Sequence, residues 1–133
     1  MKQPGVIGGT GIAALDGLVP VTTHDPDTPY GAPSGPISEG LLDGRRVYFL
    51  QRHGGSPGVI PPHLVNYRAN LWALQSLGVT DIVAINAVGG ISTAMQPGRL
   101  VIPHQLIDYT WGREHTFDDG RDGPLMHIDF TEP

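Results

Sequence analysis

Three short stretches place anion-holding groups directly behind apolar runs. Gly8-Gly9-Thr10-Gly11 follows Gly5-Val6-Ile7, Arg52-His53-Gly54 follows Arg46-Val47-Tyr48-Phe49-Leu50, and Asn86-Ala87-Val88-Gly89-Gly90 closes the run from Ile82 to Ile85. Successive glycines let backbone N–H groups turn toward an anion, and Thr10 adds a hydroxyl. Arg52 offers a planar, charged fork matched to phosphate or carboxylate, while Asn86 and Ala87 offer an amide and a backbone N–H at a turn. Ligands of open α/β sheets sit beyond the carboxyl ends of the strands, so Asn86 and Ala87 are where chemistry is expected. An Arg-His pair at a strand terminus also suits solvated surface. The apolar strand before the pair and the segment Gly54-Gly55-Ser56-Pro57-Gly58 after it, read as mobile and able to close on a ligand, favour function, for Arg52 more than for His53.

The elements that must position these groups follow from periodicity. Ile82-Val83-Ala84-Ile85 is apolar on both faces and reads as a buried strand in the middle of a parallel sheet. Ahead of it, Leu64, Tyr67, Leu71, Leu74 and Leu77 recur at helical spacing, with Pro61-Pro62 opening the helix and Gly78 closing it. Ile37–Leu42 and Arg46–Leu50 read as a hairpin through Asp43-Gly44. Ile12 to Leu18 has room for two helical turns before Pro20, and Thr22 to Pro36 reads as extended and irregular. Ile91 to Met95 reads as a turn, and Leu100-Val101-Ile102-Pro103 as a further strand; Gln105 to Thr110 fits a strand or a turn equally. Trp111 to Pro124 is polar, with turn signals at Asp118-Asp119-Gly120 and Asp122-Gly123. Glu114 and His115 in that stretch lack metal-ligand spacing and read as solvated loop. The fold class is therefore α/β, a mixed twisted sheet flanked by helices, and the length of residues 1–133 fits one domain with no internal repeat.

Composition narrows the partners. Eight Lys+Arg against 13 Asp+Glu give a net charge of −5, and seven of the eight bases are scattered arginines. No basic stripe exists for a nucleic acid backbone. With no cysteine, disulfides, thiolate catalysis and Cys-based metal sites are excluded. Met1-Lys2-Gln3-Pro4 does not open a signal peptide and no apolar run reaches the length of a membrane span, so the expectation is a cytoplasmic protein without membrane contact. Gly9-x-Gly11-x-x-Ala14 matches a dinucleotide fingerprint variant, but the long helix and terminal acid of that motif are missing, and an NAD-binding domain is set aside. A non-catalytic anion- or nucleotide-binding domain stays open beside an enzyme.

Read together, Val6 to Gly11, Thr28-Pro-Tyr-Gly-Ala-Pro-Ser34, Arg52-His-Gly54, Ile60 to Leu74 with its Val-Asn-Tyr-Arg-Ala-Asn core, and Asn86-Ala-Val-Gly89 resemble the methylthioadenosine phosphorylase branch of the purine nucleoside phosphorylase family. Pro103 to Thr110 with Gly112-Arg-Glu-His-Thr116 looks most like its methylthioinosine-cleaving subgroup. The resemblance implies phosphate-dependent cleavage of the bond between a purine and 5'-methylthioribose, with inorganic phosphate as co-substrate, no other cofactor and no metal. It implies that Thr10, Arg52, His53, Asn86 and Ala87 bind phosphate. It further implies a homotrimer in which His127, within the motif His-Ile-x-x-x-Glu-Pro spanning 127–133, lines the methylthio pocket of the neighbouring subunit. Two departures stand out: Gly55-Ser56-Pro57-Gly58 replaces a His-containing loop of many relatives, and the purine-reading residues of the family would fall past residue 133. On that reading the chain is the N-terminal half of the enzyme.

Overall fold

A computed structural model describes residues 2–55, 59–120 and 123–132 in two units, 1–87 and 88–133. In the first unit the described strands are β1 (Pro4–Gly8), β2 (Val19–His24), β3 (Ile37–Leu42), β4 (Arg45–Gln51) and β5 (Asp81–Ala84), with a single 3-10 turn at Pro62–Leu64 and one helix, α1 (Tyr67–Ser76). They form a mixed sheet in the order β2-β3-β4-β1-β5. β1 runs parallel to both β4 and β5, with Gly8 opposite Gln51 and Ile7 opposite Ala84; β3 is antiparallel to both of its neighbours, β2 and β4.

The hairpin between β3 and β4 forms through the residues the sequence marks. Asp43 (φ 49°) and Gly44 (φ 74°) are both left-handed, the backbone that a two-residue turn needs to match strand twist. β4 then fills the role expected of the run at 82–85: Val47, Tyr48, Phe49 and Leu50 are all buried, so both of its faces are covered. β5 is instead an edge strand among the described residues, with Ile82 40% and Val83 57% exposed. Its apolar character identifies a strand correctly, but one whose only described neighbour is β1.

α1 connects β4 to β5 and covers one face of the sheet. Its start is displaced from Pro61-Pro62: Asn66 caps it, accepting from the N–H of Ala69 at 3.1 Å. The buried face is Ala69, Asn70, Ala73 and Leu74, while Leu64 and Leu71 are exposed, so the expected stripe holds at Leu74 and, half-buried, at Tyr67 and Leu77. Small side chains at 69 and 73 let the helix lie close to the sheet, and leucines two residues away fall off that face. The helix ends as Gly78 predicts. Gly78 (φ 84°) donates to Gln75 O and Val79 to Leu74 O, which satisfies the last carbonyls and turns the chain into β5. Leu74 and Val79 then join Ile7, Ile37, Tyr48, Leu50 and Ala73 in the core.

Two expectations in the first unit are corrected. Ile12 to Leu18 forms no helix; Ile12 N–H bonds to Gly9 O, Leu18 N–H to Leu15 O, and Gly17 is left-handed, giving consecutive turns. Part of the stretch read as irregular is β2, which holds Pro20 at the sheet edge, where a missing N–H is tolerated. The segment 28–34 is pinned to α1: Asn66 Nδ2 donates to Tyr30 O at 2.6 Å, and Asn70 accepts from Ser34 N–H at 2.7 Å while donating to Ser34 Oγ at 2.9 Å. Arg68 lies over the Tyr30 ring at 5.0 Å.

The second unit contains neither helix nor strand among its described residues. A turn forms at Ser92–Met95 as expected, and a second at Gln96–Arg99. The strand expected at Leu100–Pro103 is absent, since no segment pairs with it there, and Gln105–Thr110 adopts neither regular form. Gln105 Nε2 donates to Phe130 O at 2.8 Å, and Gly120 N–H to Asp118 Oδ1 at 3.3 Å. Residues 56–58 of the Gly-rich segment, Asp122 of the last turn signal and Pro133 of the terminal motif lie outside the described residues. Among the described residues no helix is long and apolar enough to cross a membrane.

Candidate anion site at three strand ends

Because β1, β4 and β5 are parallel and adjacent, their carboxyl ends emerge side by side. The register places Gly8 opposite Gln51 and Ile7 opposite both Leu50 and Ala84. Two backbone bonds extend this alignment beyond the strands: Arg52 N–H donates to Gly8 O at 2.9 Å, and Ile85 N–H to Ile7 O at 2.9 Å. The three stretches singled out in the sequence therefore leave the sheet from neighbouring positions.

A cleft of about 290 Å³ opens there, lined by residues that include Gly9, Thr10, Gly11, Gln51, His53 and Gly54. Thr10 is exposed and His53 half-buried. The Arg52 side chain, also half-buried, crosses from β4 over β1 toward β5, and its Nη1 donates to Ile85 O at 3.4 Å. It passes against Gly9 so closely that a Cβ at that position would stand 2.3 Å from Arg52 Nη2 and 2.6 Å from Ile85 O. Gly9 is thus required to lack a side chain by close approach, since hydrogen alone fits beside the guanidinium. Gly8 is similarly crowded, by the Phe49 ring and Ile12 O.

His53 is held at both ends. Its Nδ1 lies 2.9 Å from Ile60 O, and because a carbonyl can only accept, the proton is on Nδ1. Nε2 is then an acceptor, and Arg52 Nε donates to it at 3.4 Å. Ile60 N–H donates in turn to His53 O at 2.7 Å. Asn86 and Ala87 follow Ile85 and are both exposed.

The structure thus brings Thr10 and His53 to one cleft and sets Arg52 across the adjacent strand end that leads into Asn86 and Ala87. His127 belongs to the second unit, where it is exposed between the exposed Met126 and Ile128. Nearby in sequence, the Asp129 carboxyl is held below the usual carboxylate range by the Thr131 hydroxyl and N–H. No group of three or more potential metal ligands exists among the described residues, and Glu114 and His115 are exposed. Sequence reasoning missed the carbonyls of Ile60 and Ile85, which leave no trace in residue type. It also missed the specific duty of Gly9, for which the Gly8-Gly9 doublet was the available signal.

Residues 4–133 match the family model described as the phosphorylase superfamily, and the chain belongs to that family. It is 55% identical over 128 residues to a probable S-methyl-5'-thioinosine phosphorylase of Xanthomonas campestris pv. campestris, covering 96% of this chain and 51% of that protein. It is 43% identical over 129 residues to an S-methyl-5'-thioadenosine phosphorylase of Nitrosopumilus maritimus, covering 97% of this chain and 48% of the relative. Among solved structures, a double mutant of the adenosine/methylthioadenosine phosphorylase of Schistosoma mansoni in complex with adenine superposes with a TM-score of 0.91 at 38% identity, over 99% of this chain and 47% of that one. The chain spans about half the length of the curated relatives it matches.

Proposed function

We propose that this member of the phosphorylase superfamily forms the phosphate-binding, N-terminal portion of a single nucleoside phosphorylase domain, and that the full-length protein cleaves S-methyl-5'-thioinosine to hypoxanthine and 5-methylthioribose 1-phosphate. The observation that carries the reading is the convergence of Gly9-Thr10, Arg52-His53 and Ile85-Asn86 at the ends of three adjacent parallel strands. Thr10, Arg52, His53, Asn86 and Ala87 make up the phosphate-binding set. Arg52 supplies the positive charge, Thr10 a hydroxyl and the turn at Ala87 an N–H, so the anion is held where it can attack C1' of the sugar.

Catalysis on this reading is positioning plus electrostatics. As the glycosidic bond lengthens, the sugar gains oxocarbenium character, and the oriented dianion lies on the face from which it bonds. The departing purine takes up a proton or hydrogen bond from groups outside residues 1–133. The greater identity to the thioinosine-named relative supports the 6-oxo substrate over methylthioadenosine, which is the alternative within the same chemistry. His127 serves the methylthio pocket of a neighbouring subunit in a homotrimer, and the second half of the domain packs on the exposed Ile82 and Val83 of β5.

The test is purine release by the full-length protein from methylthioinosine with and without added phosphate. Phosphate-dependent appearance of hypoxanthine and methylthioribose 1-phosphate is expected. Release that ignores phosphate, or binding of phosphate with no turnover of either nucleoside, would replace the phosphorylase by a hydrolase or by a non-catalytic binding domain.

A further inference from the structure

We propose that Asp118 is a positioning residue for His127: its carboxylate fixes the segment that presents the imidazole to the neighbouring subunit. This rests on the reading of His127 in the methylthio pocket given above and adds the group that holds it there. The second unit has no helix or strand among its described residues, so its backbone groups have no ladder to join. Side chains take that part instead, and around His127 they do so on both sides. Asp118 Oδ2 accepts the N–H of Met126, eight residues on and immediately before His127. Beyond His127, Gln105 Nε2 donates to Phe130 O at 2.8 Å, and Asp129 Oδ1 accepts the Thr131 N–H at 2.9 Å.

Asp118 is itself held in place. Thr116 Oγ1 accepts the Asp118 N–H and donates to Asp118 O, both at 3.1 Å, and the other carboxylate oxygen, Oδ1, accepts the Gly120 N–H at 3.3 Å. It is half-buried in a stretch, 114–120, whose other residues are exposed. A groove of about 790 Å³ runs past it, with Phe117, Met126 and Ile128 among its walls. His127, between two of those walls, is not part of the lining, and among the described residues its ring makes no hydrogen bond. The backbone is thus tied down on both sides while the imidazole stays exposed and uncommitted, as a side chain that works on another subunit must be. Ordering the segment before it docks lowers the entropic cost of docking.

In the full-length protein, kcat/KM is measured for methylthioinosine and for inosine, which carries a 5'-hydroxyl in place of the methylthio group, in wild type, Asp118→Ala, Asp118→Asn and His127→Ala. The ratio of the two constants cancels any fraction of misfolded enzyme, so a merely structural role leaves it unmoved. Asp118→Ala should lower the ratio by about tenfold, the size of one lost charge-assisted bond. Asp118→Asn keeps a neutral acceptor for the Met126 N–H and should lower it by about threefold on the same basis. In a His127→Ala background Asp118→Ala should lower it no further, because a residue acting through the imidazole has nothing left to act on.

Subunit mixing supplies a second readout. Asp118→Ala subunits mixed with Arg52→Ala subunits should move toward the wild-type ratio, since a site with Arg52 from the first can take its His127 segment from the second. Mixed with His127→Ala subunits they should not, since both defects then lie in the donated segment. The opposite pattern of recovery, a wild-type ratio in Asp118→Ala, or a loss that adds to that of His127→Ala overturns the proposal. The reading it rests on fails differently: by absent turnover in the wild type, or by a wild-type ratio in His127→Ala itself.

Discussion

Replacing Arg52 by alanine tests the anion site most directly. Three of the five guanidinium N–H groups are not engaged by Ile85 O or His53. Two of them suffice for a bidentate fork on a phosphate, and charge-assisted bonds contribute about 1.5–3 kcal/mol each. Losing both costs about 3–6 kcal/mol, or a fall in phosphate affinity of roughly 10²–10⁴-fold at 1.4 kcal/mol per decade. The strand ends should survive the change, because they are tied by backbone bonds from Arg52 N–H to Gly8 O and from Ile85 N–H to Ile7 O, which alanine retains. The melting temperature should therefore move little while the apparent phosphate constant rises steeply. Arg52→Lys keeps the charge but not the fork, and should fall between the two. The assay is the rate of purine release against phosphate concentration in the full-length protein, with phosphate binding by calorimetry as a second readout. An apparent phosphate constant unchanged by Arg52→Ala would refute the assignment outright.

Gly9→Ala should weaken phosphate binding and destabilise the fold by about 1–3 kcal/mol, because the new Cβ meets both Arg52 Nη2 and the fixed carbonyl of Ile85; a urea midpoint equal to wild type would contradict the packing described. Asn70→Ala should cost about 1–3 kcal/mol, since it strips the acceptor from the buried Ser34 N–H. Urea unfolding with an unchanged slope measures it. For His127, mixing inactive His127→Ala subunits with inactive Arg52→Ala subunits should restore part of the activity if the imidazole works across an interface; no recovery despite demonstrated subunit exchange would place it in its own subunit.

Legibility in the sequence tracked how local the determining physics is. The Asp43-Gly44 hairpin and the Gly78 helix end depend on the backbone freedom of one or two residues, and both appear where the sequence puts them. The three strand ends were legible for a related reason: each pairs an apolar run with a glycine or polar break. What failed depends on neighbours. The helix face was assigned to leucines, but Ala69 and Ala73 are fully buried, because close approach favours small side chains there. Ile82-Val83 was read as the buried centre, and that place belongs to β4, whose Tyr48 was no less informative than Val83 by residue type alone. Pro20 was read only as the stop of a preceding helix, yet it sits within an edge strand, which accommodates it.

The site itself follows from the one part of the sheet that is parallel. Antiparallel β3 and β4 can be joined by a short turn, and only Asp43 and Gly44 lie between them. β1, β4 and β5 cannot, since parallel strands need a crossover: β2 and β3 intervene between β1 and β4, and the segment containing α1 between β4 and β5. That requirement sends the chain out of the same end of the sheet three times, at Gly8, Gln51 and Ala84. A side chain from the middle exit of such a set would reach both others, but the middle strand is β1, and it contributes glycine. Arg52 comes from a flank and crosses β1 to Ile85, past position 9, where no side chain stands in its way. Gly9 thus serves less as loop flexibility than as clearance for one guanidinium, whose Nε donates to His53 Nε2 at the near end.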